Sequence, residues 1–337
     1  MDDEIHADDI QQCAERAVAS WDLRPTALRF VAARENAVFR LECADGRSFA
    51  LRVHRPGYHS LAELESEIEW TRALLEAGIS VPQPLLTRAG TAYATVPYGA
   101  AGDTRQVGLV EWIDGTPLDD VLRHADPVPI YRELGGLMAR MHNQAAAWTP
   151  SPGFVRHSLD ANGLIGDAPW WGPFWDLPEM SPEQSTVITA ARHLMYRTLV
   201  EYGTDRSSYS IIHADLLPQN VLMYRGAPVV IDFDDAGHGW HQYDMTVALV
   251  AFVGTSNLEA CREAMLVGYR HERDFSDEDA AMLPMFMTIR QLVELGWLHT
   301  RVAEFLPVSA DRKISRSELM APRIERAVEG CRQVLDA

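Results

Sequence analysis

Hydrophobic and polar residues alternate over two short runs near the start of the chain, AVFRLEC from Ala37 and SFALRVH from Ser48. A period of two predicts strands with one buried face, and the ADGR between them predicts a hairpin turn. The pattern then changes. LAELESEIEWTRALLEAG places Leu61, Leu64, Ile68, Leu74 and Leu75 at helical spacing and stops at Gly78, which predicts one helix. After GISVPQPLL come two more strand-like runs, TAYATVPY and VGLVEWI. Strand, strand, helix, strand, strand predicts a small antiparallel sheet with one helix packed on it. Beyond Asp114-Gly115-Thr116-Pro117 the helical period dominates, in YRELGGLMARMHNQAAAW, EQSTVITAARHLMYRTLVEYG, YDMTVALVAFV, DEDAAMLPMFMTIRQLVELGWLHTRVAEFL and SELMAPRIERAVEGCRQVLD. The expected architecture is α+β and two-lobed, with a β-rich lobe over residues 1–112 and a larger, mainly helical lobe over 113–337.

Composition narrows the function classes. The 337 residues suffice for two lobes, and 47% hydrophobic with 23% charged residues is ordinary for a globular chain. A net charge of −18 argues against nucleic acid or an anionic membrane as partner, since both require basic surface. Nearly all the positive charge is arginine; Lys313 is the sole lysine. Cys13, Cys43, Cys261 and Cys331 are far apart without metal-ligand spacing, which predicts thiols in a reducing compartment. The acidic N-terminus has no apolar signal region, and no apolar run approaches the roughly 18 residues that span a bilayer. The expectation is a cytoplasmic protein.

The densest chemistry lies in HADLLPQNVLMYRGAPVVIDFDD, from His213 to Asp235. Asp215 and Asn220 flank Pro218, so both belong to one loop and can face one cavity. A turn at Arg225-Gly226-Ala227-Pro228 lets VLMY and PVVI pair, bringing Asn220 at the start of one strand toward Asp232 at the end of the other. Two oxygen ligands and a third carboxylate suit Mg²⁺, a hard cation held by few carboxylates and by substrate phosphates. The metal would also relieve the repulsion among like charges.

HxDxxxxN followed by IDxxD resembles the phosphotransferases related to aminoglycoside and choline kinases, a group that includes type II homoserine kinases and bacterial stress-response kinases. The resemblance implies the protein-kinase fold and an ATP- and Mg²⁺-dependent transfer to a hydroxyl. NAVFRLECADGRSFALRVHRPG is similar to the family's nucleotide-covering strands, LVEWIDGTPL to its hinge and LGGLMARMHN to the helix behind the catalytic loop. By that resemblance Asp215 orients the acceptor hydroxyl and takes its proton, with His213 anchoring the loop. Asn220 and Asp232 hold the metal, and Glu111, Trp112 and Ile113 form the hinge that binds the nucleotide.

Three positions depart from the family's pattern. Arg52 stands where the third strand normally carries lysine; arginine stays charged and can clamp phosphate oxygens, but it lacks the compact ammonium. Glu67 is its expected partner, whereas Glu65 and Glu69 point to other faces and are expected to be solvated. The phosphate-covering turn, ARENAV, has no glycine and relies on the backbone amides of Glu35, Asn36 and Ala37. The triplet after Ile231 reads Asp232-Phe233-Asp234, in which Asp234 or Asp235 is either a second metal ligand or a cap on the next turn. Asp244 is expected to tie down the catalytic loop or to cap a helix.

The acceptor is expected to be a small hydroxylated metabolite: an amino alcohol, a hydroxy amino acid or an aminoglycoside. Trp171 and Trp175, in APWWGPFWDLP, are either core packing or one wall of the acceptor cleft. Arg290 and Trp297 lie on one helical face, where Arg290 either pairs with Glu294 or holds an acceptor carboxylate. Only eleven residues separate Asp232 from Asp244, too few for a peptide-docking segment, so a protein acceptor is the rival. A nucleotide-binding chain without turnover is a second alternative, suggested by Arg52 and the missing glycines.

Overall fold

The computed structural model describes residues 7–33, 36–100, 102–205, 207–305 and 315–337. In chain order these form α1 (Ala7–Ala17), β1 (Pro25–Ala33), β2 (Ala37–Cys43), β3 (Ser48–Val53), α2 (Leu61–Glu76), β4 (Pro84–Leu85), β5 (Tyr93–Tyr98), β6 (Asp103–Glu111) and β7 (Thr116–Pro117). There follow α3 (Leu118–Val121), α4 (Pro127–Ala147), β8 (Ser158–Leu159), α5 (Ala161–Ile165), α6 (Pro182–Tyr202), β9 (Tyr209–Ile212), β10 (Val221–Tyr224), β11 (Ala227–Val230) and β12 (Gly237–Trp240). The chain closes with α7 (His241–Leu249), α8 (Leu258–Glu272), α9 (Asp277–Ala281), α10 (Leu283–Phe305) and α11 (Arg316–Asp336). It divides into two compact units. One comprises residues 1–117, 148–156 and 222–234, and the other the remaining segments.

The first unit is built on an antiparallel sheet in the order β1-β2-β3-β6-β4, with β5 also paired to β6. The alternation in β2 and β3 puts Phe39, Leu41 and Leu51 into its core beside Val107 and Leu109. Ser60 caps α2 with a reciprocal bond to Glu63, which fixes the helix start. Two elements, α1 and β1, have no counterpart in the sequence expectation. β1 pairs with β2 along its length, yet most of its residues are exposed, so it shows no buried period. The predicted turn at 225–228 is tighter than expected. Arg225 and Gly226 alone turn the chain at φ 52° and 83°, a left-handed pair that matches strand twist. Ala227 and Pro228 belong to β11, an edge strand where proline's missing donor is tolerated.

The second unit is mainly helical. α4 and α8 cross so closely that a Cβ on Gly135 would lie 2.1 Å from the Met265 carbonyl, and one on Gly268 1.8 Å from that of Arg132. Only glycine permits that approach. α6, α7, α10 and α11 bury Met195, Val247, Ile289, Leu292 and Ile324 in a common core. The run expected as one helix from Asp277 is two, because Pro284, in the first turn of α10, cannot continue α9. A short sheet, β8-β12-β9, delivers the chain to the loop at His213. Among the described residues no helix is long and apolar enough to cross a membrane. All four cysteines are buried and free.

Candidate active site

Arg52 projects from β3 into the interior of the first unit and is 8% exposed. Its guanidinium makes an ion pair with Glu67 of α2, and Nη1 donates to Asp232 Oδ1 at 3.1 Å. Burial alone would pull this guanidinium down, but the charges of Glu67 and Asp232 more than reverse that and hold it well above the ordinary arginine range. Asp232 has φ 63°, a left-handed conformation that a non-glycine residue keeps only where its surroundings fix it. Its side chain is 47% exposed.

Asp234 lies differently. It is buried, with His54 Nδ1 3.6 Å and His59 Nε2 3.9 Å from its carboxylate, while its carbonyl accepts from Arg156. Although burial pushes its carboxyl up, the proximity of His54 and the charge of Arg52 bring it below the usual range. Asp234 is therefore enclosed by imidazoles where Asp232 is open. Glu69, expected to be solvated, accepts from the Ser151 amide and hydroxyl, both at 2.7 Å.

At the expected hinge, Glu111 ends β6 and its amide donates to the Gln83 carbonyl at 2.8 Å. The Trp112 amide donates to Ser48 at 3.0 Å, and Arg40 lies over the Trp112 ring at 4.9 Å. Ile113 follows, half-buried. In the turn expected to cover phosphates, Glu35 lies outside the described residues, whereas Asn36 Oδ1 accepts from the Arg55 amide at 3.2 Å.

In the second unit a network fixes the loop at Asp215. Asp244 is fully buried and accepts from the His213 amide at 3.1 Å and the Ala214 amide at 2.7 Å. His142 Nε2 lies 3.1 Å from the same carboxylate. Asp244 is not a helix cap: α7 begins at His241. Burial raises its carboxyl to about 6 despite the amide bonds. The network holds Ala214 at φ 66°, so backbone strain sits immediately before Asp215. His213 is 0% exposed, and its Nδ1 accepts the Asp215 amide at 3.2 Å. An imidazole so enclosed is placed to hold the loop.

Asn220, in a short 3₁₀ turn opened by Pro218, donates from Nδ2 to the Asp215 carbonyl at 2.9 Å and to Oδ2 at 2.7 Å. Its amide oxygen is thereby its acceptor end. Among the described residues no three His, Cys, Asp or Glu side chains form a metal cage. The Asn220 amide oxygen in the second unit and the half-exposed Asp232 carboxylate in the first are each a hard oxygen donor of the type divalent cations take.

The three expected tryptophans meet in one hydrophobic cluster, Trp171 within it and Trp175 and Trp297 packed against it. Trp171 is buried and stacks against Tyr243, ring centres 6.5 Å apart. Trp175 lies under Arg192 at 4.0 Å, whose guanidinium also reaches Asp167 at 2.6 Å. Trp297 is half-buried under Arg301 at 5.3 Å. Arg290 does not form the expected pair with Glu294, whose carboxylate instead accepts from Arg323 of α11 at 3.0 Å. Burial lowers Arg290, but Tyr243, Glu294, Asp215 and Asp235 together raise it above its ordinary range. Its Nε is buried without a partner among the described residues. Asp235, the last residue of IDxxD, is thus brought near Arg290 together with Tyr243 of α7, which no motif singled out.

A family model described as a phosphotransferase enzyme family matches residues 26–282. An amicoumacin kinase of Bacillus subtilis (strain 168) is 25% identical over 300 residues, covering 86% of this chain and 84% of the relative. A homoserine kinase of Gluconobacter oxydans (strain 621H) is 27% identical over 298 residues, covering 85% of each. The solved structure of a microcompartment-associated aminopropanol kinase superposes with a TM-score of 0.80 at 30% identity, covering 96% of both chains.

Proposed function

The chain belongs to the phosphotransferase enzyme family, and we propose from that premise that its acceptor is a small amino alcohol phosphorylated by Mg-ATP. ATP-dependent transfer to the hydroxyl of a small molecule is the activity of the family's kinases that this chain matches. In this reading Asp215 accepts the proton of the attacking hydroxyl. One of its oxygens is already tied by Asn220, which limits the directions the carboxylate can adopt. Phosphoryl transfer needs positioning and charge neutralisation more than covalent chemistry. Arg52, steadied by Glu67, faces the phosphate oxygens. Asn220 and Asp232 ligate magnesium, which when bound neutralises charge across the transferring phosphates. Asp234 is assigned a structural part, in keeping with its enclosure by His54 and His59. The nucleotide base lies along Glu111, Trp112 and Ile113, with Asn36 in the turn over the phosphates.

The observation that carries the acceptor class is the charge around Arg290. Burial keeps the Tyr243 hydroxyl protonated; the anionic groups that raise Arg290 are Glu294, which Arg323 also holds, Asp215 and Asp235, and an acceptor carboxylate would add to them. Two carboxylates against one guanidinium favour an ammonium. The structural relative, an aminopropanol kinase, points the same way. The unpartnered Arg290 Nε favours the second reading, a hydroxy amino acid such as the relative's homoserine.

ADP release decides between them, measured with 1-amino-2-propanol, ethanolamine, choline, homoserine, an aminoglycoside and a protein substrate. The proposal expects the highest kcat/KM on an uncharged-tail amino alcohol. Preference for homoserine, lost in Arg290→Met, would establish the second reading.

A further inference from the structure

Residues 148–156 pack as a strap along α2 in the first unit. The Ser151 amide and hydroxyl bind the Glu69 carboxylate, and the Val155 amide donates to Ser66 Oγ at 2.9 Å. Trp148 and Phe154 meet edge to face at 5.2 Å within the strap. Its last residue is Arg156, 7% exposed. Nη1 of Arg156 donates to the Glu63 carbonyl at 3.1 Å, and Nη2 donates to the Asp234 carbonyl. By helical geometry the Glu63 carbonyl also receives the amide of Glu67, four residues on. One buried guanidinium therefore bridges the turn of α2 that carries Glu67 and the segment that opens with Asp232.

A charge-assisted bond to a carbonyl is stronger than a neutral one, and two from one rigid fork fix distance as well as contact. The same two elements are joined by the packing of Phe233 on Trp70, edge to face at 5.5 Å, and by Arg52 between Glu67 and Asp232. Asp232 keeps its left-handed backbone because these ties over-determine it. Arg156 differs from the other two in gripping the backbone of both elements, which sets their position.

We infer that Arg156 is a positioning residue for phosphoryl transfer. It locks the helix bearing Glu67 to the segment bearing Asp232, and so holds Arg52 and Asp232 in register. The inference rests on the reading of Arg52 and Asp232 as nucleotide- and metal-handling residues. Displacing a positioned group by about 1 Å costs on the order of 10²-fold in rate.

Arg156→Ala is therefore expected to lower kcat/KM for Mg-ATP by about 10²-fold and to raise the magnesium concentration needed for half-maximal rate. The KM for the acceptor stays unchanged. Calorimetric affinity for Mg-AMP-PNP, which needs no turnover, weakens by about tenfold, or about 1.4 kcal/mol. Arg156→Lys, able to reach one of the two carbonyls, recovers part of each loss. Glu69→Ala, at the strap's solvent side, shows a smaller loss of the same sign. If Arg156→Ala does not fold, Arg156→Lys and Glu69→Ala decide alone. Wild-type Mg-AMP-PNP affinity and magnesium dependence in the folded variants overturn the inference. So does an equal fall in kcat with every nucleotide constant preserved. Undiminished turnover by Asp215→Asn is a separate failure, that of the catalytic reading.

Discussion

Replacing Arg52 by methionine removes one partner from a buried ion pair and leaves the other in place. The side chains of Arg52 and Glu67 are 10% and 4% exposed, and Glu67 Oε2 is already buried without a hydrogen-bond partner. Stranding a buried charge in this way costs about 3–5 kcal/mol. The lost contact to Asp232, whose carboxylate is half exposed, adds at most about 1 kcal/mol. Arg52→Met/Glu67→Met has no stranded charge, and exchanging a buried pair for apolar residues is often neutral or stabilising. The double variant is thus expected to recover at least about 2 kcal/mol relative to the sum of the single changes. Urea titrations followed by tryptophan fluorescence read this, since Trp21 and Trp70 are fully buried in the same unit. A loss below about 1 kcal/mol in Arg52→Met, or strict additivity in the double variant, refutes the reasoning. Recovery of stability without recovery of Mg-ATP affinity separates the pair's catalytic part from its structural one.

Stability will also fall in acid. Burial holds His142 down at about 3 and keeps His241 well below its ordinary value, so between about pH 6 and 4 the unfolded chain binds two protons there. Burial raises Asp244 to about 6, so the folded His142–Asp244 pair holds one proton in that window that unfolded Asp244 lacks. The difference is one proton, or about 1.4 kcal/mol lost per unit of falling pH, and Asp244→Asn should nearly double that slope in a pH series of urea midpoints; an unchanged slope contradicts it. Asn220→Ala and Asp232→Asn should each raise the magnesium requirement for Mg-AMP-PNP binding, read by calorimetry, at least tenfold, or about 1.4 kcal/mol; wild-type magnesium dependence would remove that residue from the metal site.

Legibility in the sequence followed burial. AVFRLEC coincides with β2, and SFALRV with β3, because each has one face in the core and shows the period. β1 is as well paired as either but exposed on both faces, so alternation could not reveal it. α2 was readable from its spacing and from Ser60 before Glu63. The expected helix from Asp277 hid a break, because the apolar period runs through Met282 while Pro284 interrupts the hydrogen bonds. Within the site, spacing pointed to Asp215, Asn220 and Asp232, and the family resemblance to the partnership of Arg52 with Glu67. Tertiary packing added contacts that spacing could not show: Asp234 beside two histidines, Glu294 given to Arg323, Glu69 engaged by Ser151. Arg156 had no signal, because the backbone carbonyls it grips are distant in sequence.

The central claim is that Asp215 deprotonates the hydroxyl of a small amino alcohol during transfer from Mg-ATP. The measurement that tests it most directly is ³¹P NMR of the products of 1-amino-2-propanol and Mg-ATP with wild-type protein and Asp215→Asn, alongside calorimetric Mg-AMP-PNP binding. We predict an O-phosphorylated product, a rate lowered by roughly 10²–10⁴-fold in the variant, and nucleotide affinity unchanged. A variant that phosphorylates at the wild-type rate, or a wild-type protein that binds nucleotide yet phosphorylates no hydroxylated amine, would contradict the account.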